Sequence, residues 1–213
     1  MPRPQTRSDD DILDATGGTV ARLGPERMTL ADVGRAVGLS PAALVQRFGS
    51  KRRLLLAFAA REAARAGALR ERPLPSGSPV AAMWAFLAEL SEGLDDPEEL
   101  VHGLAFLQID LTDAAFHRHA QTQARAVEDH LTRLIAAGVA AGELLAGTSP
   151  RPLARAVHAM WNGAILTWGV QRRGTAWAHV RATVGTLLLP YQALASGSPP
   201  TRTPRRQRAR QAR

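Results

Sequence analysis

Apolar positions recur at helical spacing along most of the chain, and no segment sustains the apolar–polar alternation of a half-buried strand. Asp9, Asp10 and Asp11 stand where a helix N-terminus favours negative charge. Ile12, Leu13, Thr16, Val20 and Leu23 then form one stripe, and Gly24-Pro25 ends that helix. Gly17 and Gly18 weaken it by roughly 1 kcal/mol each against alanine, unless a neighbour needs the close approach they allow. Thr29 caps a second helix, with Asp32 three residues on as its reciprocal partner. Leu30, Val33 and Val37 share a face of it, and Gly38 stops it in a left-handed position. Ser40 caps a third helix with Pro41 at its first position. Leu44 and Phe48 point its inner face to a core, Pro41, Ala42, Val45 and Gln46 form the outer face, and Arg47 flanks them. Gly49 ends it, and Ser50 caps a fourth helix that runs from Lys51 to about Leu69.

Residues 72–79 (RPLPSGSP) break the pattern. Helical spacing resumes over 79–94 with Val80, Met83, Trp84, Leu87 and Leu90 on one side. Residues 98–111 place Val101, Leu104, Leu107 and Leu111 together, with Phe106 and Ile109 off that stripe. A long helix follows over 113–141, then a pair over 151–171 and 175–194. The expected fold is all-α. It comprises a three-helix head at 8–55, a connecting helix at 51–70 and a helical lobe at 78–195. Residues 1–7 and the Pro/Ser- then Arg-rich 196–213 are expected to be disordered.

The stretch from Thr29 to Lys51 is a helix-turn-helix, whose second helix enters a DNA major groove. Charge agrees with that placement. The net +8 divides into +3 over residues 1–55, +2 over 56–77, −3 over 78–195 and +6 over 196–213. The tail either adds non-specific DNA affinity or is simply solvated. The chain has no cysteine, which excludes disulfides, Cys-ligated zinc and thiol nucleophiles. His117 and His119 lie on different sides of a helix, and the other four histidines are isolated. No Gly-rich phosphate loop and no paired catalytic carboxylates occur. We expect no metal, no cofactor and no enzymatic activity. The N-terminal MPRPQTRSDDD lacks a signal-peptide core, and no apolar run reaches the ~18 residues of a membrane span. A cytoplasmic protein without membrane contact is expected.

The N-terminal ~55–60 residues resemble the DNA-binding domain of the tetracycline-repressor (TetR) family of bacterial regulators. The matching residues are Ile12-Leu13-x-Ala15, Thr29-Leu30-Ala31-Asp32-Val33-Gly34, Val37-Gly38-Leu39-Ser40, Ala43-Leu44, Phe48 and Ser50-Lys51-x-x-Leu54. The resemblance implies a homodimer on near-palindromic double-stranded DNA, assembled through the last two helices, about 151–171 and 175–194. It further implies a repressor released by a small apolar or amphipathic effector bound in the C-terminal lobe. Thr29, Ser40, Ala42, Ala43, Val45, Gln46, Arg47 and Lys51 are then the expected DNA-binding residues. Gln46 can pair bidentately with adenine, Arg47 can reach guanine or phosphate, and Lys51 supplies a cation to phosphate. Val45 departs from the family, which commonly has a phosphate-contacting tyrosine there. For the effector pocket the candidates are Trp84, Phe106, Gln108, Met160, Trp161, Asn162 and Trp168. The two amides stand out because a buried amide needs a partner. A small α-helical enzyme and an architectural DNA binder relying on the tail are the competing functions.

Overall fold

Side-chain caps set most of the helix starts. Ser8, Thr29, Ser40, Ser50, Ser78, Asp96, Asp113 and Thr175 each accept a hydrogen bond from a backbone N–H two or three residues on. The computed structural model describes residues 7–193 apart from Pro75 and Asp95. The expected tail at 196–213 and residues 1–6 of the expected leader lie outside the described residues. The helices are α1 (Asp9–Arg27), α2 (Leu30–Val37), α3 (Pro41–Phe48), α4 (Lys51–Gly67), α5 (Pro79–Glu89), α6 (Pro97–Thr112), α7 (Ala114–Ala140), α8 (Pro150–Gln171) and α9 (Ala176–Leu188). Short 3-10 turns follow α4 (Ala68–Arg70) and α9 (Leu189–Tyr191). Among the described residues there is no strand, only one isolated antiparallel bridge between Leu144 and Gln192. The fold is all-α.

Two cores organise the helices. The first gathers Ile12, Leu13, Val20, Met28, Val33, Val37, Leu44, Leu54 and Leu55 from α1–α4 and the turn before α2. Gly17 lies flat against Phe58, where a Cβ would come within 2.9 Å of the ring. The second core gathers Met83, Phe86 and Leu87 of α5 with Leu131, Leu134 and Ile135 of α7, Leu153, Val157 and Trp168 of α8, and Val180, Val184 and Leu188 of α9.

Four contacts join the halves. Phe116 of α7 is buried in the first core, not the second. It stacks edge-on against Phe106, which does the same with Phe58. Arg52 at the start of α4 bonds Asp113 at the start of α7 at 2.5 Å. Arg133 of α7 donates to the carbonyls of Leu69, Arg70 and Arg72, and the His130 ring meets the Leu69 carbonyl at 3.2 Å. The carbonyls of the turn that follows α4 thereby find partners on α7.

The fourth contact concerns the end of α1, where the helix breaks at Gly24-Pro25 as expected. The backbone leaves the helix at Gly24 (φ 76°, ψ 158°) and Pro25 has no N–H, so the carbonyl of Ala21 has no helical donor. His102 of α6 takes that place, its Nδ1 lying 2.6 Å from the Ala21 oxygen. A carbonyl only accepts, so this bond requires the proton on Nδ1.

Three expectations need correcting. The inward face of α6 is not the leucine row. Val101, Leu104, Leu107 and Leu111 are 55%, 39%, 44% and 66% exposed, whereas His102, Phe106 and Ile109 face α1 and α4. Aromatic and imidazole contacts outweigh the aliphatic stripe there. The last helix ends at Leu188 rather than 194, because Pro190 cannot continue it. Arg7, placed in the disordered leader, is held instead. Its Nε donates to the Val37 carbonyl at 3.0 Å, closing the end of α2.

Candidate nucleic-acid interface

The turn between α2 and α3 is built from Gly38, Leu39 and Ser40. Gly38 adopts φ 73°, ψ 30°, a left-handed conformation that a side chain disfavours. Thr29 and Asp32 form a full capping box: Thr29 Oγ1 accepts from the Asp32 N–H and donates to Asp32 Oδ2 at 2.6 Å. Those bonds, side chain first and then backbone, hold the Asp32 carboxyl below its ordinary pKa range. Ser40 Oγ accepts from the Ala43 N–H at 3.1 Å. Thr29 and Ser40 are thus engaged as caps, and both remain exposed.

α3 presents the expected outer face. Pro41, Ala42, Val45, Gln46 and Arg47 are exposed, Ala43 is half-buried and Leu44 is fully buried. Gln46 makes no hydrogen bond among the described residues, so its amide is free to read a base edge. Arg47 is occupied. It forms an ion pair with Asp9 and donates to the Arg7 carbonyl at 2.6 Å. Sequence reasoning missed Arg7 and Asp9, because both lie some forty residues before α3 and carry no motif.

Lys51, Arg52 and Arg53 open α4, whose first turn holds no acid. Three cations at the positive end of a helix dipole are unfavourable for folding, which makes sense where an anion approaches. Lys51 Nζ donates to the Glu26 carbonyl at 2.7 Å, leaving two of its three donors. Arg52 is committed to Asp113 and sits over the Phe116 ring at 5.7 Å.

A description of bacterial regulatory proteins of the tetR family matches residues 12–58, and one of a tetracyclin repressor-like C-terminal domain matches residues 103–184. Together they span more than half of the chain. The chain belongs to the TetR family of transcriptional regulators. Solved structures agree in fold. A TetR-family transcriptional regulator from Agrobacterium tumefaciens superposes with TM-score 0.68 at 23% identity, over 87% of this chain and 97% of that one. A TetR transcription regulator from Haloarcula marismortui gives TM-score 0.70 at 20% identity, over 86% and 97%. SmeT, described as the repressor of the Stenotrophomonas maltophilia multidrug efflux pump SmeDEF, gives 0.65 at 22% identity, over 92% and 96%. No curated protein matches the chain by sequence.

In this TetR-family chain two cavities adjoin beside α6 and α7. The first, about 520 Å3, lies between α1, α4, the α5–α6 loop, α6 and α7, with Phe58, Glu62, Glu92, Glu99, Phe106 and Asp110 among its walls. The second, about 460 Å3, is walled by α6, α7 and α8 and the end of α5, including Leu107, Leu111, Val127, Trp161 and Asn162. Asp110, Ala120 and Gln123 line both.

Of the expected pocket residues, Phe106, Trp161 and Asn162 reach these cavities. Trp161 Nε1 donates to Ser91 Oγ at 3.0 Å. The other four do not line either of them. Trp168 is buried in the second core, its Nε1 bonded to the Gly174 carbonyl. Met160 packs against that core, and Trp84 stacks edge-on with Trp177 beneath Arg181. Gln108 is exposed, as is Asn162, whose amide donates back to the His158 carbonyl. The buried-amide expectation therefore fails for both, since each stays in reach of water.

Asp110 was not anticipated. Burial pushes its carboxyl up to about 6, with His117 pulling weakly the other way, and its Oδ1 is buried without a hydrogen-bond partner among the described residues. No three histidine, aspartate or glutamate side chains converge to hold a metal among the described residues, and no helix there is long and apolar enough to cross a membrane.

Proposed function

We propose that this regulator is a repressor that works as a homodimer on a near-palindromic operator and is released by a small molecule bound in its C-terminal lobe. The observation that carries this reading is the cavity between α1/α4 and α6/α7. One of its walls is Phe58, Ala59 and Glu62 of α4, the helix that leads directly from the DNA-reading head. On this reading residues 8–55 are the head, 51–70 the connector and 78–195 the effector and dimerisation lobe. The outer face of α8 supports the dimer: Leu166 and Val170 are 45% and 85% exposed, apolar surface that a partner subunit would cover. A ligand that prefers a shifted α4 draws the dimer toward that state in proportion to its differential affinity. The heads must sit about 34–36 Å apart, or a multiple of that, to enter successive major grooves, so a small pivot suffices to release DNA.

Thr29, Ser40, Ala42, Ala43, Val45, Gln46, Arg47 and Lys51 form the DNA contact in this proposal. Gln46 reads a base and Lys51 neutralises phosphate. Footprinting of the full chain on the DNA upstream of its own coding sequence tests the reading. A protected, near-palindromic site whose half-sites lie one helical turn or a multiple apart is expected. Absence of any specific protection at low salt would overturn it.

A further inference from the structure

We propose that the two adjoining cavities form one site for a lipophilic organic cation, with Asp110 as its counter-ion. The proposal rests on the ligand-responsive reading above and narrows the class of ligand.

The lining charges are one-sided. The chain carries 27 Lys and Arg against 19 Asp and Glu, yet among the described residues neither cavity has a lysine or arginine in its wall. The first cavity alone has Glu62, Glu92, Glu99 and Asp110. Glu62 is neutralised by Arg61 and Arg65, at 3.0 and 3.3 Å. Glu92, Glu99 and Asp110 form no ion pair among the described residues.

Asp110 is the decisive member because it stands at the junction of both cavities with a buried, unpartnered Oδ1. A buried polar atom without a partner is costly, and the cost is recovered when a ligand supplies one. Nothing adjacent does so. His117 follows Asp110 on the same wall, but both its nitrogens are committed. Its Nδ1 lies 3.1 Å from the Asp110 backbone carbonyl, so Nδ1 carries the proton; Nε2 accepts from Gln121 Nε2 at 2.9 Å. His158 lies on the far wall, where Glu128 stands 3.7 Å from its Nδ1.

The remaining walls suit the body of such a ligand. Phe58 and Phe106 face the first cavity and Trp161 the second, offering ring faces to a cation. Leu90, Leu107, Leu111 and Val127 supply apolar surface. Leu107 and Leu111, two of the exposed leucines of α6, thereby acquire a role as the rim of a binding site.

Calorimetric titration of the full chain with tetraphenylphosphonium and tetraphenylborate, matched in shape and opposite in charge, tests the proposal. The cation is expected to bind at least about tenfold more tightly than the anion, as a charge-assisted contact requires. Asp110→Asn should weaken the cation about tenfold and leave the anion unchanged or improved. Glu99→Gln, at the cavity wall rather than the junction, should weaken the cation two- to threefold. It keeps the test available should Asp110→Asn fold poorly. Equal or reversed affinities on the native chain, no binding of the cation, or full cation affinity in Asp110→Asn would each overturn the site. Footprinting without either ion reports separately on the regulator reading. Cation binding without a specific footprint overturns that reading and keeps the site, and a footprint without cation binding does the opposite.

Discussion

Arg47 carries two demands that pull against each other. On the proposed reading it flanks the base-reading face of α3, yet Asp9 and the Arg7 carbonyl hold it. A phosphate or guanine must displace Asp9, and an exposed ion pair is worth at most about 1 kcal/mol. Asp9→Asn is therefore expected to tighten DNA binding by up to about fivefold, measured by fluorescence anisotropy at fixed salt. Lys51→Ala should weaken binding to all sequences alike and reduce the salt slope by about one. Gln46→Ala should relax the preference at a single base pair by ~1–3 kcal/mol, read from binding to a set of single-position operator variants. The sequence made the caps and the exposed face of α3 legible, because Thr29, Ser40 and Ser50 act through bonds two or three residues away. Arg7, Asp9 and Asp110 were not legible. Their meaning comes from partners far along the chain or, for Asp110, from having none.

At the scale of elements, α6 shows where pattern reading stops. A helix with apolar residues on most of its circumference has no unique inner face, and the row with most leucines lost to the one bearing His102, Phe106 and Ile109. Helix starts were legible to within two residues, since caps are local. The end of α9 was misjudged because apolar spacing continues past Pro190 while helical bonding does not. The same helix, α6, carries a pH signature. Asp110 titrates at about 6 when folded and near 4 when unfolded, so below pH ~4 it is neutral in both states and costs nothing. As pH rises through 6, the folded chain must ionise it without a partner, and stability falls. Removing that charge by Asp110→Asn should leave the melting temperature nearly unchanged at pH 4 and raise it at pH 7.5. His130 on α7 runs the other way: burial lowers its pKa, so its contribution is lost as pH falls below about 6.5. Comparing the variant with the native chain at each pH cancels the His130 term.

At the scale of the molecule, the expected two-lobed division is visible in two separate cores, but they are bridged more firmly than a breaker-rich joint suggested. Phe116 belongs to α7 and is buried with α1–α4. Phe116→Ala should cost ~3–5 kcal/mol and shift one cooperative melting transition rather than split it in two, as followed by circular dichroism. On the proposed reading, a bridge this close to the head is also the route by which a ligand beside α6 bears on α4. The bond between His102 and the Ala21 carbonyl extends that logic to inheritance. The break at Gly24-Pro25 creates the vacancy and the imidazole at 102 fills it, so neither has a fixed value without the other. Among descendants of this chain the two positions should change together. A lineage that regains a continuous helix through 24 and 25 can release 102 to drift, while one that keeps the break must keep a donor on α6.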